Sequence, residues 1–157
     1  MLAEDIGKVM RAKKLTLAVA ESCTGGKLGD LITEVSGSSD YFLGGVISYS
    51  NDAKVRMLGV DAATLKTKGA VSEEVALQMA AGARKALNAD IGVGITGVAG
   101  PTGGTPLKPV GLVYIAVSSN SASVCRRNVL KGGRSSIKDQ SARKALAMLS
   151  EFLGKIG

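Results

Sequence analysis

Leu15-Thr16-Leu17-Ala18-Val19-Ala20-Glu21-Ser22-Cys23-Thr24-Gly25-Gly26 is the stretch from which the fold is read. Residues 15–20 are almost wholly apolar, the pattern of a strand buried on both faces in a parallel sheet covered by helices. The run breaks at Glu21-Ser22-Cys23. Thr24, a good N-cap type, is placed to open a helix that carries Leu28, Leu31, Ile32 and Val35 inward. Strand, tight loop and helix in that order are the start of an α/β unit.

The pattern repeats outward from this unit. Leu2, Ile6, Val9 and Met10 fall at helical spacing over residues 2–13. A second strand is expected at 45–49, ending at Ser50-Asn51, and a short helix follows through Ala53, Val55, Met57 and Leu58. Ser72-Glu73-Glu74 supplies a cap and an acidic first turn for a helix over 73–87, whose Val75, Met79 and Ala83 recur every four residues. A third strand is expected at 91–96, then the glycine-rich 97–111, then a hairpin of 112–118 and 123–130 turning near Asn120. A last helix is expected over 135–153, opened by Ser135-Ser136. Strands alternating with helices, then a hairpin and a closing helix, imply a three-layer α/β/α sandwich with a mixed, mostly parallel sheet. No internal repeat or linker interrupts residues 1–157, so one domain is expected.

Composition narrows the chemistry. The chain has 157 residues, 45% of them hydrophobic and only 3% aromatic, so the core should be aliphatic. Its formal charge of +7 should draw anions. Lys and Arg are not gathered into a polyanion-binding stripe, however, and aromatics to stack bases are scarce. A small anionic ligand therefore fits better than a nucleic acid. Two cysteines make no disulfide framework and have no metal-ligand spacing. The absence of histidine excludes a Ser-His-Asp triad, a Cys-His dyad and a His-ligated zinc site. No signal-peptide pattern and no apolar run near the ~20 residues that span a bilayer are present, so a cytoplasmic location is expected.

Three loops leave the first three strands: 21–26, 50–54 and 97–111. If those strands are parallel, the loops meet outside their carboxyl ends, where open α/β sheets bind ligands. Ser22 then lies between a strand end and a helix start, where free amides can hold a phosphate or a developing oxyanion. Equally, Ser22 and Thr24 can simply cap the helix while Gly25 and Gly26 permit close packing. Cys23 is a competing nucleophile with no histidine to activate it. Lys54, just inside a helix, is either a solvated surface lysine or a partly buried one with a lowered pKa, able to serve a serine as general base. Tyr49 is a core aromatic or a surface for a base to stack on. The run from Thr96 and Gly97 to Pro106 has neither Walker spacing nor the dinucleotide fingerprint; it is a ligand-covering loop or a plain connection.

Ala20-Glu21-Ser22-Cys23-Thr24-Gly25-Gly26, Tyr49-Ser50-Asn51-Asp52-Ala53-Lys54, Val71-Ser72-Glu73-Glu74-Val75-Ala76 and Gly94-Ile95-Thr96-Gly97-Val98-Ala99-Gly100-Pro101 together resemble the C-terminal domain family of the competence/damage-inducible protein CinA. Lys108-Pro109-Val110-Gly111 and Gly133-Arg134 extend the resemblance over nearly the whole chain. It implies an amidohydrolase converting nicotinamide mononucleotide to nicotinic acid mononucleotide and ammonia, in pyridine nucleotide recycling. On that reading Ser22 is the nucleophile and Lys54 its base. Thr24, Gly25, Gly26, Tyr49, Thr96, Gly97 and Arg134 contact the substrate, with the amides of Thr24 to Gly26 at the oxyanion and Arg134 at the phosphate. No metal or cofactor is implied; the partners expected are the nucleotide and further copies of the chain, as a dimer or higher oligomer. Nucleic acid and membrane are not expected, nor is any activity belonging to the N-terminal domain of longer members. Gly133, Lys138, Thr102 and Leu107 depart from the family pattern near the phosphate and the glycine-rich loop. These departures motivate the alternative of a non-catalytic nucleotide- or partner-binding module that retains the pocket.

Overall fold

A computed structural model describes residues 2–156. In chain order the elements are α1 (Leu2–Lys13), β1 (Leu17–Glu21), α2 (Lys27–Thr33), a 3-10 turn (Ser38–Asp40), β2 (Phe42–Ile47), α3 (Asn51–Leu58), α4 (Ala62–Lys68), α5 (Glu73–Ala86), β3 (Ile91–Gly97), β4 (Leu112–Ser118), β5 (Ser123–Val129) and α6 (Arg134–Lys155). The five strands form one sheet in the order β2-β1-β3-β4-β5. β1 pairs in parallel with both β2 and β3, while β4 is antiparallel to β3 and to β5. Four strands thus point one way and β4 alone opposes them: a mixed sheet with its parallel part around β1.

Period-two alternation along the buried strands sorts residues by size between the two faces. Leu17, Val19, Ile91, Val93, Ile95, Val113, Ile115 and Val117 pack with Ile6, Met10, Leu28, Ile32, Ile137, Leu149 and Phe152 of α1, α2 and α6. On the other face Ala18 and Ala20 meet Leu58, Val75, Met79 and Ala83, and Ala116 meets Ala76 and Ala80. Large aliphatics hold one helix layer and small residues let α5 lie close on the other. The result is the three-layer α/β/α sandwich that the alternating pattern implies.

The α5 contact depends on glycine. A Cβ at Gly92 would stand 2.0 Å from the Ala80 carbonyl oxygen, and one at Gly94 would stand 2.6 Å from that of Ala76. Backbone cannot yield as a side-chain tip can. Gly92→Val is therefore expected to destabilise by roughly 1–3 kcal/mol or more, lowering Tm by on the order of 5 °C. A thermal unfolding midpoint within about a degree of wild type would show that α5 tolerates displacement.

Several expected boundaries move. β1 runs through Glu21, and β2 starts at Phe42 and stops at Ile47, which leaves Tyr49 in the following loop. α4, capped by the Asp61 side chain on the Ala63 amide, was not foreseen, because its seven residues bury only Leu65 and carry little period. Thr24 does not cap α2. Gly25 and Gly26 take φ of +58° and +110°, conformations that L side chains rarely adopt, and they delay the helix to Lys27. Nor do Ser135 and Ser136 open α6, which begins at Arg134 with no side-chain cap on Gly133. The Ser72 cap on α5 is as read, its hydroxyl accepting from the Val75 amide at 3.3 Å. Among the described residues no helix is long and apolar enough to cross a membrane.

Candidate active site

The carboxyl ends of β1, β2 and β3 lie side by side, and the three loops converge there. The Ser22 amide donates to the Ile95 carbonyl of β3 at 3.1 Å, and the Ser48 amide donates to the Glu21 carbonyl at 2.8 Å. Ser50 then turns the chain into α3 by accepting from the Ala53 amide at 3.0 Å. This places Lys54 in the first turn of α3, pointing back beneath the end of β1. Lys54 is only 1% exposed. Its Nζ lies 2.9 Å from Ser22 Oγ, 2.6 Å from the Ser48 carbonyl and 3.5 Å from the Tyr49 carbonyl.

Burial lowers the Lys54 pKa from its ordinary value, because an ammonium loses hydration there. The surroundings also orient the neutral amine. Two carbonyls can only accept, so in the deprotonated form the two N–H bonds would point at Ser48 and Tyr49 and leave the lone pair facing Ser22 Oγ. Of the two readings open for Lys54, the solvated surface lysine is excluded by geometry.

The loop between β1 and α2 is pinned by a residue the sequence reading passed over. Glu21 is 2% exposed, and its carboxylate accepts from the amides of Gly26 (3.2 Å), Leu28 (2.9 Å) and Gly29 (3.0 Å). The Gly25 amide donates to the Ser22 carbonyl at 3.1 Å. The amides of Gly25 and Gly26 are thus spent within the loop, whereas those of Cys23 and Thr24 donate to no backbone carbonyl among the described residues, and that of Cys23 lies against its own sulfur. Thr24 is fully buried and its Oγ1 lacks a partner. Burial pushes the Cys23 thiol up to about 11, which keeps it protonated near neutral pH. An acidic residue closing an otherwise apolar strand was the available signal for Glu21.

Above Ser22 and Lys54 opens a cavity of about 290 Å³, lined also by Tyr49, Thr96, Gly97, Gly100 and Arg134. That is near the lower end of the ~300–1,000 Å³ usual for small-molecule sites. The Thr96 hydroxyl donates to the Ala70 carbonyl at 2.8 Å, tying β3 to the loop between α4 and α5. Arg134 donates from Nη1 to the Gly100 carbonyl at 2.7 Å and from Nη2 to the Tyr49 hydroxyl at 3.1 Å. Lys108 holds the far side of the glycine-rich loop to the Lys68 carbonyl. Thr24, Gly25 and Gly26 do not line the cavity; Gly25 instead lies near Lys138 Nζ and Gly26 against Ile47. A larger surface cavity of about 540 Å³ near Asp61, Gln78 and Lys85 contains no nucleophile–base pair, so volume alone does not locate the chemistry. Among the described residues no group of three or more Cys, Asp or Glu is gathered to hold a metal ion.

Known proteins resemble this chain in sequence and fold. The family described as the CinA C-terminal domain matches residues 1–153. A putative competence-damage inducible protein of Moorella thermoacetica is 54% identical over 143 residues, covering 91% of this chain and 34% of that protein. A CinA-like protein of Nostoc punctiforme is 52% identical over 155 residues, 97% of this chain and 37% of that protein. The chain thus spans about a third of the length of these curated relatives. Among solved structures, the competence/damage inducible protein CihA from Agrobacterium tumefaciens superposes with a TM-score of 0.95 at 42% identity, covering 98% of this chain and 94% of that one. The competence damage-inducible protein A (ComA) from Klebsiella pneumoniae gives 0.96 at 32% identity, covering 99% and 97%.

Proposed function

The chain belongs to the CinA C-terminal domain family, and from that premise we propose that it hydrolyses the carboxamide of nicotinamide mononucleotide to nicotinic acid mononucleotide and ammonia, in pyridine nucleotide recycling. The observation that carries the reading is the buried 2.9 Å contact between Lys54 Nζ and Ser22 Oγ at the floor of the cavity. A lysine stripped of water beside a serine is a base for a chain that has no histidine.

Lys54, neutral, takes the Ser22 proton as Oγ attacks the carboxamide carbon. The oxyanion that forms is met by the amide of Cys23, the loop residue beside Ser22 that lines the cavity, rather than by those of Gly25 and Gly26, which are spent within the loop. Such a donor is worth roughly 3 kcal/mol in the transition state. The Lys54 ammonium returns the proton to the leaving nitrogen, and ammonia departs. Water, deprotonated by the same amine, then attacks the acyl-Ser22 carbonyl; as the intermediate collapses the Lys54 ammonium returns that proton to Ser22 Oγ, and the acid product leaves, ionising to the carboxylate in solvent. Arg134 has two of its five N–H donors engaged by Gly100 and Tyr49, so the others remain for a phosphate at the mouth of the cavity. Tyr49, 61% exposed, offers its ring to the pyridine or ribose.

The test is ammonia release from nicotinamide mononucleotide by the wild-type chain, run beside nicotinamide and nicotinamide riboside. Turnover that requires the phosphate supports the reading. Saturable nucleotide binding by calorimetry with no ammonia overturns it in favour of a binding module that retains the pocket.

A further inference from the structure

Resting on the Ser22–Lys54 reading above, we infer that Glu21 is a positioning residue for the nucleophile: its buried carboxylate fixes the loop that sets Ser22 Oγ and the Cys23 amide against the substrate. A buried carboxylate is costly unless several donors meet it. Here both oxygens are met, Oε1 by the amides of Gly26 and Leu28 and Oε2 by that of Gly29. Glu21 lines no part of the cavity, so its action passes through the backbone.

Its place in the chain gives this leverage. The main chain of Glu21 is locked between two strands at the carboxyl end of β1, in register with Ile47 of β2 and Ile95 of β3. Its side chain follows the alternation of Leu17 and Val19 onto the α2 layer and holds the first turn of that helix. One residue therefore clamps both ends of the span from Ser22 to Gly25. That span contains two residues of the proposed chemistry and a glycine at φ +58°, a conformation with little stiffness of its own. A neutral amide in place of the carboxylate would turn an NH2 group toward at least one of the three N–H donors, and the clamp would open on one side.

Glu21→Gln tests this against a plain capping role. The expected result, with Tm well above the assay temperature, is a kcat lower by roughly ten- to a hundredfold with little change in KM, the cost of misplacing a reacting group by about an ångström. Labelling of Ser22 by a fluorophosphonate should slow in parallel, and the amides of Gly26, Leu28 and Gly29 should exchange faster by NMR while those of α6 do not change. Glu21→Asp, which keeps the charge but withdraws it by one methylene, should fall between; it also carries the test if Glu21→Gln does not fold. A folded variant with wild-type kcat and wild-type labelling overturns the inference. Wild-type protein that labels at Ser22 but releases no ammonia removes the proposed substrate, while the labelling arm still decides the role of Glu21. Wild-type protein that does neither overturns both.

Discussion

Ser22→Ala is expected to reduce ammonia release from nicotinamide mononucleotide by more than about a hundredfold while leaving the fold and nucleotide binding nearly intact, because only the bond-forming oxygen is removed. Ser22 is 8% exposed and its backbone amide is held by Ile95, so alanine retains the main-chain geometry. The neighbouring thiol cannot take over. With its pKa pushed up to about 11, Cys23 is thiolate in only ~1 molecule in 10⁴ at neutral pH. Cys23→Ala should accordingly keep most of the turnover. The decisive comparison is kcat for the two variants side by side. Retained activity in Ser22→Ala together with loss in Cys23→Ala would make the cysteine the nucleophile.

What could be read from the chain and what could not divides along a physical line. The apolar run of residues 15–20, the strand expected over 91–96 and the capped start of α5 are local features, and each put its element in place. Parallel pairing of β1 with β2 and β3 followed from the helical connections, and with it the convergence of three loops. Side-chain commitments did not follow. Thr24 is a good cap by type, but two left-handed glycines carry the helix start past it, and the cap is supplied by a carboxylate five residues upstream of Gly26. Lysine is by composition a surface residue; only the fold of β2 into α3 brings Lys54 beneath Ser22. Arg134 was read as lying just before a Ser-Ser cap, yet it is the first residue of α6, and its bonds to Gly100 and Tyr49 join segments far apart in sequence. Period and propensity report the elements, while the site is made of contacts that no short window contains.

Lys54→Met is expected to have an effect as large as that of Ser22→Ala, and its pH dependence separates a base from a structural hydrogen bond. Because burial lowers the folded-state pKa, the amine is deprotonated at lower pH than an exposed lysine, and wild-type kcat/KM should rise with pH through that lowered value and then level off. Methionine has no titrating group, so this rise should vanish together with more than about a hundredfold of the rate. Stability offers an independent reading of the same group. The unfolded chain binds the Lys54 proton up to the ordinary 10.5, whereas the folded chain releases it earlier. Between those two values the unfolded state therefore holds more protons, and stability rises with pH. The penalty for burying the charge is complete below the folded pKa and disappears as pH approaches the unfolded one. Tm of wild type minus Tm of Lys54→Met should consequently increase between pH 7 and pH 10, even though methionine also leaves the Ser48 and Tyr49 carbonyls without their donor at every pH. A flat difference across that range, or a variant retaining the wild-type rise in kcat/KM, would mean that Lys54 remains charged in the folded protein and that the base is another group.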